Sequence, residues 1–178
     1  PDAGVFEFFN NLRGSRIENI WSFSVPRVLY TGIQVWGNLQ INNIFAYYFE
    51  PRTTHTAVNA LGNTVFIDGI EIVGNWETGL SRQGTVGSLT NFNIAGSPGF
   101  QMLNAILVEA SGTLAISNGW IEQLDDTTPN GQNKAIYVNN SEDIKIDNVN
   151  IASGSIFAYG GSEITVNDVA FAQHNAGF

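Results

Sequence analysis

Ile17-Glu18-Asn19-Ile20, Ile41-Asn42-Asn43-Ile44, Ile67-Asp68-Gly69-Ile70, Leu89-Thr90-Asn91-Phe92, Ile116-Ser117-Asn118-Gly119, Ile146-Asp147-Asn148-Val149 and Val166-Asn167-Asp168-Val169 read as one line of sequence written seven times. Each is apolar, then polar, then Asn, Gly or Asp, then usually apolar. The first residues lie 24, 26, 22, 27, 30 and 20 positions apart. A unit of this length, rich in strand formers and without a helical period, marks a parallel β-solenoid. The third position is held by Asn, Gly or Asp, the residues that tolerate the left-handed backbone of a tight corner. Stacked Asn amides can also hydrogen-bond from tier to tier at the inter-strand spacing of about 4.8 Å. A β-sandwich gives no reason to place one residue class at one corner seven times.

Outward from that corner, each repeat divides into three strands. Ala135-Ile136-Tyr137-Val138 alternates as a half-buried strand does. A turn follows at Asn139 to Asp143, then a second strand, Ile144-Lys145-Ile146. Asp147-Asn148 makes the corner, and Val149-Asn150-Ile151 is the third strand. Ile156-Phe157-Ala158, Ile164-Thr165-Val166 and Val169-Ala170-Phe171 repeat the order. The expectation is all-β: one domain over residues 1–178 with about seven three-strand tiers around an apolar core. Gly119-Trp120-Ile121 holds what reads as one extra residue, which predicts a bulge. Val5-Phe6-Glu7-Phe8 reads as a first strand with no cap before it, and Gly177-Phe178 falls where another tier should begin. Solenoid ends need polar caps, so the expectation is a piece of a longer chain, uncapped at both ends, or ends covered by neighbours.

The chain has 178 residues, 43 % of them hydrophobic, enough for a sizeable core. Only 13 % are charged and the net charge is −9. That balance argues against nucleic acid, whose phosphates need a basic face, and against an anionic membrane surface. There is no Cys, so neither disulfides nor thiolate zinc sites are available. No apolar run approaches the length of a membrane span, and no secretory leader is recognisable. A Gly-rich phosphate loop, a Ser-His-Asp grouping and a His cluster are all missing from the sequence, so no cofactor or metal is expected.

The three-strand tier with its Asn ladder resembles the pectate-lyase-like right-handed parallel β-helix over about residues 5–171. Uneven tiers and outward aromatics, as in Arg16-Ile17-Glu18-Asn19-Ile20-Trp21-Ser22-Phe23, are similar to the bacteriophage tailspike depolymerases. That resemblance implies a virion-tail or extracellular location, a homotrimer, and bacterial surface polysaccharide (capsule or O-antigen) as the partner. It implies cleavage by acid-based chemistry but supplies no matching catalytic motif.

Candidate residues therefore come from placement. Variable segments on a rigid scaffold usually carry function, and the segments from third to first strand, 47–57, 74–80 and 122–134, read as long loops. If Ile106 and Val108 face inward, Glu109 points out, and Glu77, Glu109, Asp125 and Asp126 fall on successive tiers of one face. Carboxylates one or two tiers apart would match the separations of about 5 Å and roughly 6.5–9.5 Å that retaining and inverting glycosidases use. One would act as general acid, another as base or nucleophile. Asp125 and Asp126 also offer hard oxygen ligands for Ca²⁺, but no Asp/Gly-rich repeat loop accompanies them. Glu50, Arg52, His55 and Arg82 form a second group, able to clamp an anionic sugar and shuttle a proton as a lyase requires. Trp76, next to Glu77, is expected to stack on a sugar ring. If Ile20 and Ile44 face inward, Trp21 and Phe45 stand out of the third-strand sheet one tier apart, with Glu71 and Asn93 continuing the column. Those rings fit a trimer interface or sugar stacking. The alternative to an enzyme is a non-catalytic carbohydrate-binding adhesin or shaft.

Overall fold

The computed structural model describes residues 6–10, 14–34, 38–62, 64–84, 86–96, 102–122 and 134–171. Its elements are strands: β1 (Phe6–Asn10), β2 (Ser15–Phe23), β3 (Leu29–Gln34), β4 (Asn38–Leu61), β5 (Thr64–Gln83), β6 (Val86–Ala95), β7 (Asn104–Glu109), β8 (Leu114–Glu122), β9 (Lys134–Asn139), β10 (Ile144–Ile151), β11 (Ser155–Tyr159) and β12 (Ile164–Phe171). Every pairing between them is parallel. Second and third strands stack in the order β2, the first half of β4, the first half of β5, β6, β8, β10, β12. First strands stack in the order β1, β3, the second half of β4, the second half of β5, β7, β9, β11. The protein is a parallel β-solenoid.

The corner works as its residues dictate. Asn19, Asn43, Gly69, Asn91, Asn118, Asn148 and Asp168 all have positive φ, between 46° and 73°. Because each corner is a single left-handed residue, the second and third strands run through it almost unbroken. The amide of Asn43 donates to Asn19 Oδ1 at 3.1 Å, and that of Asn148 to Asn118 Oδ1 at 2.8 Å. At Gly69 the ladder has no side chain, and Asn91 turns instead to Asp68 Oδ1 at 2.6 Å.

Alternation then decides what is buried. Ile41, Ile67, Leu89, Ile116 and Ile146 share one inward column and are fully buried. Removing each such side chain from water contributes about 1.5–3 kcal/mol. The bulge expected at Gly119 is absent. Phe92, Gly119 and Val149 lie in continuous register. Gly119 simply occupies an inward position without a side chain, and the Phe92 ring fills the room: a Cβ at Gly119 would sit 1.9 Å from Phe92 Cζ.

Two segments expected as loops are strand. Residues 47–57 lie within β4, with register shifts between Tyr48, Thr53 and Thr56, and 74–80 lie within β5. Gly74 makes the second path open to the chain. Its φ is 141°, and a Cβ there would fall 1.9 Å from the Tyr48 carbonyl oxygen.

Candidate functional site

On the third-strand face the outward column reads Trp21, Phe45, Glu71, Asn93, Trp120, one tier to the next. Each follows an inward residue (Ile20, Ile44, Ile70, Phe92, Gly119), so strand alternation aims it at solvent. Trp21 and Phe45 stack with ring centroids 4.3 Å apart and planes at 22°. Two positions along, Phe23 and Tyr47 stack at 5.3 Å and 10°. Trp21 is 63 % exposed and Phe23 64 %, so these rings form an aromatic surface rather than a core.

The stack ends where the next tier carries a short chain. Below Phe45 stands Glu71, and below that Asn93. This step from large ring to small polar side chain leaves a groove of about 270 Å³. Phe45, Glu71, Asn91, Phe92, Asn93 and Asn118 are among its lining residues. The Tyr47 hydroxyl donates to Glu71 Oε1 at 2.5 Å. That hydrogen bond, with burial and the carboxylate charge behind it, pushes the Tyr47 phenol up to about 12. The Tyr47 hydroxyl fixes the carboxylate, which keeps further lone pairs for another donor. The groove offers an aromatic face, a positioned carboxylate and amides from a rigid ladder. Those groups match a sugar ring, apolar on one face and fringed by hydroxyls.

The described residues among those singled out from sequence do not gather into one site. Ile106 and Val108 are buried and Glu109 points out as expected, accepting from Gln83 Nε2 at 2.6 Å. Glu77, however, begins the first-strand stretch that Gln83 ends, and Glu109 pairs with Gln83. Six residues of extended chain are about 20 Å. Glu77 and Glu109 share a sheet but stand at opposite ends of it, too far apart for either glycosidase geometry. Asp125 and Asp126 lie outside the described residues, as does the side chain of Arg52. Glu50 is exposed, and its carbonyl accepts from Asn75 Nδ2 at 2.6 Å. His55 Nδ1 lies 3.4 Å from Arg27 Nη2, half-buried.

Trp76 and Arg82 are corrected outright. Trp76 is fully buried; its Nε1 donates to the Pro26 carbonyl at 2.9 Å and its ring lies 5.5 Å from that of Tyr48. It packs the corner between third and first strands and presents no face to a ligand. Arg82 shares the inward parity of Leu80, in a column with Ala60, Val108 and Val138. It is fully buried, and its guanidinium donates to the carbonyls of Val65 at 2.8 Å and Ser88 at 3.3 Å. These flank Gly87, which leaves its own inward place empty of side chain. Burial pulls the Arg82 pKa down to about 9, still charged at neutral pH. Its work is structural. On the first-strand face Tyr137 and Phe157 stand one tier apart, with centroids at 5.6 Å.

Glu71, Tyr47, Asn91 and Asn118 were the residues that sequence reasoning left out of the site. The signal for Glu71 was its parity against buried Ile70.

No protein-family model matches the chain, and no curated protein does. Among solved structures, the chain is similar to one described as a "putative glycosyl hydrolase" from Parabacteroides merdae. The TM-score is 0.61 at 10 % identity, covering 89 % of this chain and 81 % of that one. At that identity the likeness bears on the fold alone, and it agrees with the β-solenoid drawn from the corner repeat.

Proposed function

We propose that this chain is a carbohydrate-binding β-solenoid that holds a glycan against its third-strand face. A sugar ring stacks on Phe45, with its hydroxyls on Glu71 and on the amides of Asn91, Asn93 and Asn118. The observation that carries this reading is the abrupt end of the Trp21–Phe45 stack over the Glu71 groove. A second solenoid packed on the same face would bury Glu71 and the Asn amides without sugar hydroxyls to pair them, which is costly. The sequence resemblance to tailspikes makes capsule and O-chain polysaccharide the first ligands to screen.

Cleavage of the glycan is the second reading. The solved structure it resembles in fold is described as a hydrolase, and Glu71 supplies one carboxylate in the groove. Hydrolysis by paired carboxylates needs a second group within about 5–9.5 Å of Glu71; Glu77 and Glu109 belong to the first-strand stack, and Asp68, hydrogen-bonded to the groove residue Asn91, is the acidic neighbour to test. Binding is the reading put first, because the aromatic face and the groove carry it whether or not cleavage follows.

The test is titration of the protein with a panel of bacterial surface polysaccharides, with product masses read in parallel. Phe45→Ala is expected to weaken binding at least tenfold and to leave the glycan intact in both proteins. Undiminished binding by Phe45→Ala sinks the groove assignment. Fragments that have gained water would restore the hydrolase reading.

A further inference from the structure

We infer that the Glu71 groove selects glycans without acidic substituents, and prefers an amino-bearing sugar at the position Glu71 reaches. This deepens the carbohydrate reading and rests on it. The chain has seven Lys and Arg against sixteen Asp and Glu. Five of those cationic side chains are described, and each stands off the third-strand face. Arg16 Nε lies 2.7 Å from Glu18, and Lys145 Nζ 3.2 Å from Asp143. Arg82 is inside the core. Arg27 lies by His55 and over the Tyr30 ring, in the turn between third and first strands. Lys134 sits on the first-strand face, 4.1 Å from the centre of the Tyr137 ring.

The outward residues of the third-strand face are of another kind. Trp21, Phe45, Glu71, Asn93 and Trp120 form one column; Phe23, Tyr47, Val73 and Glu122 belong to the next. The described face carries carboxylates and no Lys or Arg. A uronate or phosphate seated on Phe45 would meet Glu71 with no cation among the described residues of this face to offset it. Two like charges about 4 Å apart cost roughly fivefold in affinity in water-like surroundings, and about a thousandfold at an effective dielectric of about 20. An ammonium at the same place gains by a similar factor. Glu71 is well prepared for it: the Tyr47 hydroxyl holds Oε1, so the carboxylate is oriented before the ligand arrives. Phe45 and the ladder amides recognise the ring itself, whatever its charge.

The experiment uses matched triplets of oligosaccharides, each a neutral, an amino and a uronate form of one backbone. One triplet is cellohexaose, the glucosamine hexamer and the glucuronic acid hexamer, all β-1,4-linked. Affinities are measured for the unmodified protein and for Glu71→Gln, Phe45→Ala and Lys134→Ala. The expected order is amino tighter than neutral by about fivefold or more, and uronate weaker than neutral by a similar factor. Glu71→Gln should bring the amino-to-neutral ratio close to one. A uronate form bound as tightly as its neutral partner overturns the charge inference while leaving the groove reading in place. Uronate binding that Lys134→Ala abolishes does the same, and moves the acidic ligand to the first-strand face. An amino preference that survives Glu71→Gln also overturns it. Binding to no triplet, or binding that Phe45→Ala leaves intact, overturns the groove reading and this inference with it.

Discussion

Gly119→Ala is the smallest change that tests how the core is fitted together beneath the groove. Phe92 both lines the groove and lies over Gly119. A Cβ added at Gly119 would stand 1.9 Å from Phe92 Cζ and 2.2 Å from both Cε atoms. Carbon atoms rest at about 3.5–4.0 Å, so the ring must retreat by roughly 1.5–2 Å. It has little room, because Val149 fills the next tier of the same column and Ile70 the tier before. Overpacking of this kind costs about 1–3 kcal/mol. Gly119 is not among the positive-φ residues, so alanine is allowed there and returns about 0.4–1 kcal/mol through the unfolded chain. The net expectation is a loss of about 1–2 kcal/mol, or a melting temperature lower by roughly 2–8 °C for a chain of this size. Shrinking the ring should relieve the clash. Phe92→Leu, destabilising alone, should cost markedly less in the Gly119→Ala background, with a coupling of about 0.5–3 kcal/mol. Thermal unfolding followed by circular dichroism on all four proteins gives the answer. A neutral or stabilising Gly119→Ala, or a strictly additive double variant, would refute the claim that Phe92 occupies the space Gly119 leaves.

The corner and the groove each make a further prediction. At Asn148, with φ 51° and its amide 2.8 Å from Asn118 Oδ1, Asn148→Ala should cost about 1–2 kcal/mol for the left-handed backbone. Asn148→Gly should cost less, since only the exposed hydrogen bond is lost; an equal or larger loss for glycine in urea unfolding would remove the conformational explanation of the ladder. Tyr47 should titrate near 12, against 10.0 for an ordinary phenol. Because folding favours its protonated form, the stability tied to that proton is fully present below pH 10 and is lost as pH rises through 12. Phenolate absorbance should show this late transition and show it return toward 10 in Glu71→Gln, and a Tyr47 phenol unmoved by that substitution would mean that Glu71 is not its partner.

The fold was legible because its hardest local demand recurs. A left-handed corner admits few residues, so Asn19 through Asp168 wrote the tier spacing into the chain, and strand alternation on either side set the faces. The same alternation placed Trp21, Phe45, Glu71 and Asn93 in one outward column. What could not be read was distance along a tier. Glu77 and Glu109 lie on adjacent tiers, as their places in the repeat imply, but nothing in their spacing says that one begins the strand stretch and the other ends the next. Nor did the sequence reveal that β4 and β5 carry strand through the turn from third to first face. Gly74-Asn75-Trp76-Glu77 has the composition of a loop, yet Gly74 is there to let two backbones pass, and Trp76 then fills the interior behind them.

Arg82 shows where a rule of period and a rule of charge conflict. Its parity with Leu80 puts it inside, while its charge argues for solvent. Period wins because Gly87 leaves a gap in the facing column and the carbonyls of Val65 and Ser88 stand within reach of the guanidinium. A buried cation is tolerable when its donors are met. The same logic applied outward identifies the groove. Glu71 has the parity of Phe45 but not its bulk, so the aromatic stack must stop there. A regular ladder yields a binding site only where its regularity fails, and on this face it fails at a carboxylate held in place by Tyr47.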